Sequence, residues 1–257
     1  MKNLIFAGLL LVVLTAFVQP DIQKTLDDIN ARFKNVEVSL VHWPDDLQPK
    51  LGMLKKSAFM ALPRSASTEK LPLLITLHGA GGKNWTLAEQ LVRSAKVKGL
   101  SLAELAGKEL MAIEPNSSGD WDPLTLNIML DYLLDQYPQI DPDRVYVMGH
   151  SMGGRGTWEW ILHAPQRFAA AAPCGFSELN LDDDVSKLVD LPVWGMVGAN
   201  DGKNVASIKK MIELLRKTGN PNVQYTAFPD ANHAKGNASV FSSVKCIEWM
   251  LTFSKDE

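Results

Sequence analysis

Arg144-Val145-Tyr146-Val147-Met148-Gly149-His150-Ser151-Met152-Gly153-Gly154-Arg155-Gly156-Thr157-Trp158 is the stretch on which the reading of this chain turns. An apolar run of strand length meets a corner flanked by glycines and passes at once into a segment of helical period. Outward from it, the same alternation of short apolar runs and longer helical segments fills the chain from residue 71 onward. Strands are expected at Leu71–Leu77, Leu110–Glu114, Arg144–Met148, Phe168–Ala172, Leu191–Val197 and Val223–Phe228. Helices are expected at Leu87–Lys98, Leu124–Tyr137, Gly154–His163, Val205–Thr218 and Ser239–Phe253. Most of these strands lack polar alternation, as strands covered by helices on both faces do. The fold class is therefore α/β, a mostly parallel central sheet with helices on both faces.

The bulk properties agree. The 257 residues are 46% hydrophobic and 21% charged, with 18 Gly and 14 Pro, which excludes a disordered, collagen-like or coiled-coil chain. No Pro/Ser-rich linker divides residues 55–257, so they read as one domain. The net charge is -3 and no stripe of Lys and Arg tracks a phosphate backbone, so nucleic acid is not an expected partner. Lys2 followed by the apolar run Leu4–Val18 gives residues 1–19 the outline of a signal peptide, too short for a spanning helix. A secreted or periplasmic protein is expected, with no stable membrane insertion once the signal is cleaved. Cys174 and Cys246 are the only cysteines, too few for a disulfide framework. Residues 20–54 form an N-terminal extension of mixed signals. Ile22, Leu26 and Ile29 have helical spacing, Val36, Val38 and Leu40 alternate like a strand, and Lys55–Leu62 reads as a strand.

In an open parallel sheet the loops leaving the carboxyl ends of the strands hold ligands. One of them is Gly149-His150-Ser151-Met152-Gly153, a G-x-S-x-G turn between strand and helix that presents a serine hydroxyl clear of the sheet. A hydroxyl is a weak nucleophile near neutral pH, so Ser151 needs a base for its proton and a carboxylate to hold that base. Asp201, past the strand Leu191–Val197, and His233, past the strand ending at Phe228, follow in the order serine, acid, histidine; Asp230 is the alternative acid. His42 precedes the sheet pattern, His163 ends a helix, His150 is the variable residue of the turn, and His78 precedes Gly79 and orders its loop. Donors for a developing oxyanion are expected at the backbone N–H of Met152 and at Ala80, with Gly81 as the fallback, in His78-Gly79-Ala80-Gly81-Gly82. Trp85 and Trp121, both in strand-end loops, are candidate substrate-binding residues, whereas Trp194 is expected inside its strand. The segment Phe176–Val189 is long enough for a small cap. Its run Asp182-Asp183-Asp184 lacks the interval spacing of a cation loop, and no metal is expected.

With these residues in place the chain resembles the α/β-hydrolase superfamily, most closely the bacterial secreted carboxylesterases and dienelactone-hydrolase-like proteins often described as peptidases. The likeness covers roughly residues 55–253. Its pieces are Leu71-Pro72-Leu73-Leu74 running into Leu77-His78-Gly79-Ala80-Gly81, then Gly149 to Trp158, then Leu191-Pro192-Val193-Trp194, and Tyr225 to His233. The resemblance implies an α/β-hydrolase fold and a Ser151/Asp201/His233 triad acting on carboxylic esters, carried on small molecules or on carbohydrate, without cofactor. A serine peptidase for small peptides and a non-catalytic hydrolase-fold binding protein are the other readings. The chain departs from the pattern at Gly202-Lys203-Asn204-Val205, where related sequences often place an acidic or polar residue and a Val-Pro pair. It departs again at Ala231-Asn232, where Ala-Gly is common.

Overall fold

The computed structural model describes residues 20–65, 69–107, 109–177 and 184–255. The expected signal peptide and residues 178–183 of the expected cap lie outside them. The strands are β1 (Val36–His42), β2 (Leu54–Pro63), β3 (Leu71–Leu77), β4 (Met111–Ser117), β5 (Ile140–His150), β6 (Ala170–Cys174), β7 (Val193–Gly198) and β8 (Val223–Phe228). They form one sheet in the order β1-β2-β4-β3-β5-β6-β7-β8. Every pairing from β4 to β8 is parallel, while β1 with β2 and β2 with β4 are antiparallel.

The helices are α1 (Pro20–Arg32), α2 (Leu87–Val97), α3 (Gly99–Ala106), α4 (Pro123–Gln136), α5 (Met152–His163), α6 (Lys203–Lys217), α7 (His233–Val240) and α8 (Val244–Met250). They divide between the two faces of the sheet because alternate residues of each central strand are apolar in both directions. Leu73, Ile75 and Leu77 pack with Leu126, Trp158 and Met211 from α4, α5 and α6. Leu74, Tyr146 and Met148 pack with Ile29, Leu91, Leu102 and Ile247 from α1, α2, α3 and α8. β3 is buried at all seven positions, which is why its sequence carries no polar alternation.

Three expectations change. The segment 20–54 belongs to the sheet layer: Val36–His42 pairs residue for residue with Ser57–Pro63, and Ile22, Leu26 and Ile29 are buried beneath it. The helix expected over Ser239–Phe253 is two helices, separated where Ser242 and Ser243 turn the backbone. A further helix, α3, starts directly after α2. Lys98 is its extended N-cap residue, and the Ser101 hydroxyl accepts from the Lys98 N–H at 2.9 Å.

Candidate active site

β5 ends in the turn that lifts Ser151 off the sheet. Ser151 has φ 62° and ψ -124°, a left-handed strain that a non-glycine residue adopts only when its surroundings enforce it. The enforcement is visible. Ser151 N–H donates to the Cys174 carbonyl of β6 at 3.0 Å, and its own carbonyl accepts from Arg155 N–H at 2.9 Å as α5 begins. Gly154 makes that packing possible, since a Cβ there would stand 2.0 Å from the Cys174 oxygen.

Three strand-end loops then converge. His233 Nε2 lies 2.9 Å from Ser151 Oγ, and His233 Nδ1 lies 2.9 Å from both Asp201 oxygens. The loops holding acid and base are laced together, with Ala199 N–H donating to Phe228 O and Asn200 N–H to Ala231 O, each at 2.9 Å. The Asp201 side chain is only 5% exposed, whereas that of His233 is 47% exposed. The carboxylate accepts at Nδ1, which fixes the proton there and leaves Nε2 free to accept from the serine. Asp230 sits exposed in a turn with φ 54° and takes no part.

Ala80 opens a tight turn at Ala80–Asn84, and Met152 is the first residue of α5, so both backbone N–H groups precede any intrahelical partner. Ala80, Met152 and Ser151 line one cavity of about 330 Å³, together with Arg155, Phe176 and Asn204. A second cavity of about 610 Å³ on the other side of the serine is lined by Gly79, Trp85, Val97, His150 and His233. Within the smaller cavity Asp120 bonds Lys83 at 2.8 Å and Arg155 at 2.6 Å. Those bonds, that from Lys83 first, hold its carboxyl below the ordinary value.

The tryptophans separate. Trp85 is half-buried on the wall of the larger cavity, with Arg93 over its ring at 5.1 Å. Trp121, expected beside it, lines neither of these two cavities. It is 3% exposed, wedged against Gly156, edge-on to His78 at 4.8 Å, and its indole N–H donates to His78 O at 3.0 Å. Its large apolar ring is worth more packed under the loop than left in solvent. Trp194 is half-buried, with its N–H on Thr226 Oγ1 at 3.0 Å.

Two further histidines stand behind the site. His78 is wholly buried, accepts from Ser117 N–H at its Nε2 (3.0 Å) and so carries its proton on Nδ1, 2.9 Å from Gly79 O. Burial lowers it to about 4. His150 is 1% exposed with its ring 4.7 Å from that of His233, and burial first, then the neighbouring His233, lowers it to about 3. Both are neutral at neutral pH. Sequence reasoning gave His150 no task, because a variable position inside a motif carries no pattern of its own. His150, Asp201 and His233 are the described residues whose ligand atoms gather within 4.8 Å. Asp201 and both nitrogens of His233 are already committed to one another and to Ser151, which leaves only His150 Nε2 uncommitted.

Comparison with known proteins fits this arrangement. Residues 119–207 match the prolyl oligopeptidase family, a window that holds Ser151 and Asp201 but neither His233 nor the turn at Ala80. An uncharacterized secreted protein of Arthroderma benhamiae is 28% identical over 208 residues, 64% of this chain and 21% of that one. A protein of Salmonella typhimurium named as a carboxymethylenebutenolidase is 32% identical over 102 residues, 37% of each chain. The chain thus spans well under half the length of these relatives. Among solved structures, a thermostable esterase superposes with a TM-score of 0.67 at 22% identity, over 86% of this chain and 63% of its own. The fold is that of the α/β-hydrolases.

Proposed function

We propose that the chain is an exported serine hydrolase that cleaves carboxylic esters through an acyl-enzyme on Ser151. The observation that carries this reading is the unbroken path Ser151 Oγ, His233 Nε2, His233 Nδ1, Asp201, every step 2.9 Å. Ser151 Oγ attacks the ester carbonyl carbon as its proton passes to His233 Nε2, and the carbonyl oxygen, now negative, turns to the N–H groups of Ala80 and Met152. One such donor is worth roughly 3–4 kcal/mol in the transition state. The C–O bond then breaks, His233 returns the proton to the departing alcohol, and the acyl group stays on Ser151. Water repeats the sequence: His233 takes its proton, the acid leaves, and the serine recovers its hydrogen. Asp201 holds the imidazole in one tautomer and offsets the positive charge it carries between the two steps.

The esterase name of the superposed structure supports an ester over an amide substrate. The partial match to a peptidase family supports the alternative. Export rests on the outline of residues 1–19 and on a relative described as secreted. Among the described residues no helix is long and apolar enough to cross a membrane.

The test is the initial rate on p-nitrophenyl acetate and on a matched peptide p-nitroanilide, for the wild type and Ser151→Ala. Ester turnover should fall to background in the variant. Equal rates in the two proteins would refute the serine mechanism, and a preference for the anilide would transfer the assignment to a peptidase.

A further inference from the structure

The segment Gly202-Lys203-Asn204-Val205 sits against Asp201 and His233, and the function proposed above uses none of it. Gly202, at φ 54°, turns the chain after Asp201 so that α6 starts at Lys203, and Asn204 N–H donates to the Asp201 carbonyl at 3.1 Å. Side chains in the first turn of a helix lean toward its N-terminus, so the Asn204 amide folds back onto Asp201. Its Nδ2 lies 3.0 Å from Asp201 Oδ1 and 3.2 Å from His233 Nδ1. The neighbours decide which end of the amide faces inward: a carboxylate only accepts, so the NH₂ group must meet it.

Among the described residues the Asp201 carboxylate accepts from two groups only, His233 Nδ1 and Asn204 Nδ2. Among the described residues it has no backbone N–H on its side-chain oxygens, and its one ion-pair partner is His233. A buried carboxylate with so few donors depends on each of them for its orientation and charge. Asn204 also lines the smaller cavity beside Ser151, Met152 and Phe176, whereas Asp201 does not, so Asn204 stands between that cavity and the acid.

We infer that Asn204 is a positioning residue of this site, which fixes the Asp201 carboxylate and tempers its pull on the His233 proton. The inference rests on the serine-hydrolase reading. With Nδ2 on one oxygen, part of the carboxylate's negative charge is spent on the amide. Without it, that charge acts on His233 alone and the carboxylate is held in place from one side only. The groups facing the His233 ring are Asp201 and Asn204 from the start of α6 and Ser151 and His150 from the β5–α5 turn. Of these Asp201 alone is charged at neutral pH, because His150 is held neutral, with the Lys98 ammonium acting on His150 from beyond it.

The experiment is covalent labelling of Ser151 by a fluorophosphonate across pH 5 to 9, a working range of about four units, for the wild type, Asn204→Leu and Asn204→Gln, with melting temperatures alongside. Asn204→Leu keeps the approximate shape and removes both donors. It should label about tenfold more slowly at neutral pH, with the pH of half-maximal rate moved upward and only a small fall in melting temperature. Asn204→Gln, which restores an amide, should recover part of both. A wild type that labels, beside a Leu variant with the same rate and pH profile, would overturn the inference while leaving the function intact. A Leu variant slowed only in proportion to lost stability, with its profile unmoved, would overturn it too. A wild type that does not label at all would overturn the serine-hydrolase reading, and this inference with it.

Discussion

Gly154→Ala tests whether the nucleophile depends on contact between α5 and β6. The added Cβ would stand 2.0 Å from the Cys174 carbonyl oxygen and 2.9 Å from its carbon, against the 3.4 Å at which ordinary contact begins. Neither partner can rotate away, because both are backbone, so α5 must retreat by about 1.4 Å. The Cys174 oxygen is the acceptor of the Ser151 N–H at 3.0 Å, so this retreat pulls directly on the turn. Overpacking against rigid surroundings costs about 3 kcal/mol, which in a chain of this size lowers the melting temperature by roughly 6–12 °C. Displacing Ser151 Oγ by about 1 Å from His233 should lower its reactivity about a hundredfold. Gly81→Ala is the control: it lies in the neighbouring turn, and its Cβ would meet nothing within 4 Å. Thermal unfolding by circular dichroism and the rate of fluorophosphonate labelling read the two effects. A Gly154→Ala protein as stable and reactive as the wild type would refute the packing argument, and so would an equal loss in Gly81→Ala.

Acid should destabilise the fold through the buried histidines. His150 falls from 6.5 unfolded to about 3 folded, so between those values the unfolded chain binds the extra proton, and stability decreases as pH drops from 6.5 toward 3. His78 adds the same sign down to about 4, while Glu114, whose carboxyl burial raises to about 7, opposes them. Comparing urea unfolding of the wild type with His150→Gln cancels the last two: between pH 7 and 5 the wild type should lose about 2 kcal/mol more than the variant, and parallel losses would contradict the burial argument. Thr86 closes a capping box with Glu89 at the start of α2. Thr86→Ala should cost about 1 kcal/mol, read as a lower urea midpoint, and an unchanged midpoint would show that tertiary packing alone holds that helix end.

Strands β3 to β7 were legible because each contains a short apolar run, and β8 because its apolar residues alternate with polar ones; their bounds move only by the few residues that strand ends carry into polar loops. The triad candidates were legible because a strand-to-helix serine turn, a late Asp and a later His are local patterns, each at the end of one strand. What escaped depends on distant contacts. Trp121 looked like a loop aromatic at the binding face, and only the approach of Gly156 and the His78 carbonyl shows that its ring is buried. Asn204 carried no signal beyond a departure from related sequences, since its partners are decided by the turn at Gly202. β1 was ambiguous alone, because an edge strand is specified by the register of its neighbour.

The base is carried by the last strand of the sheet. Among the described residues β8 bonds to β7 on one side and to no strand on the other, whereas Ser151 follows β5 and Asp201 follows β7, each held on both sides. An outer strand frays at lower free energy than an inner one, and each departure of β8 carries the loop to His233 with it. On the serine-hydrolase reading proposed above, inactivation needs no melting of the molecule: under rising denaturant, turnover should fade while the inner sheet is still folded, and should return within the time that one strand takes to zip back.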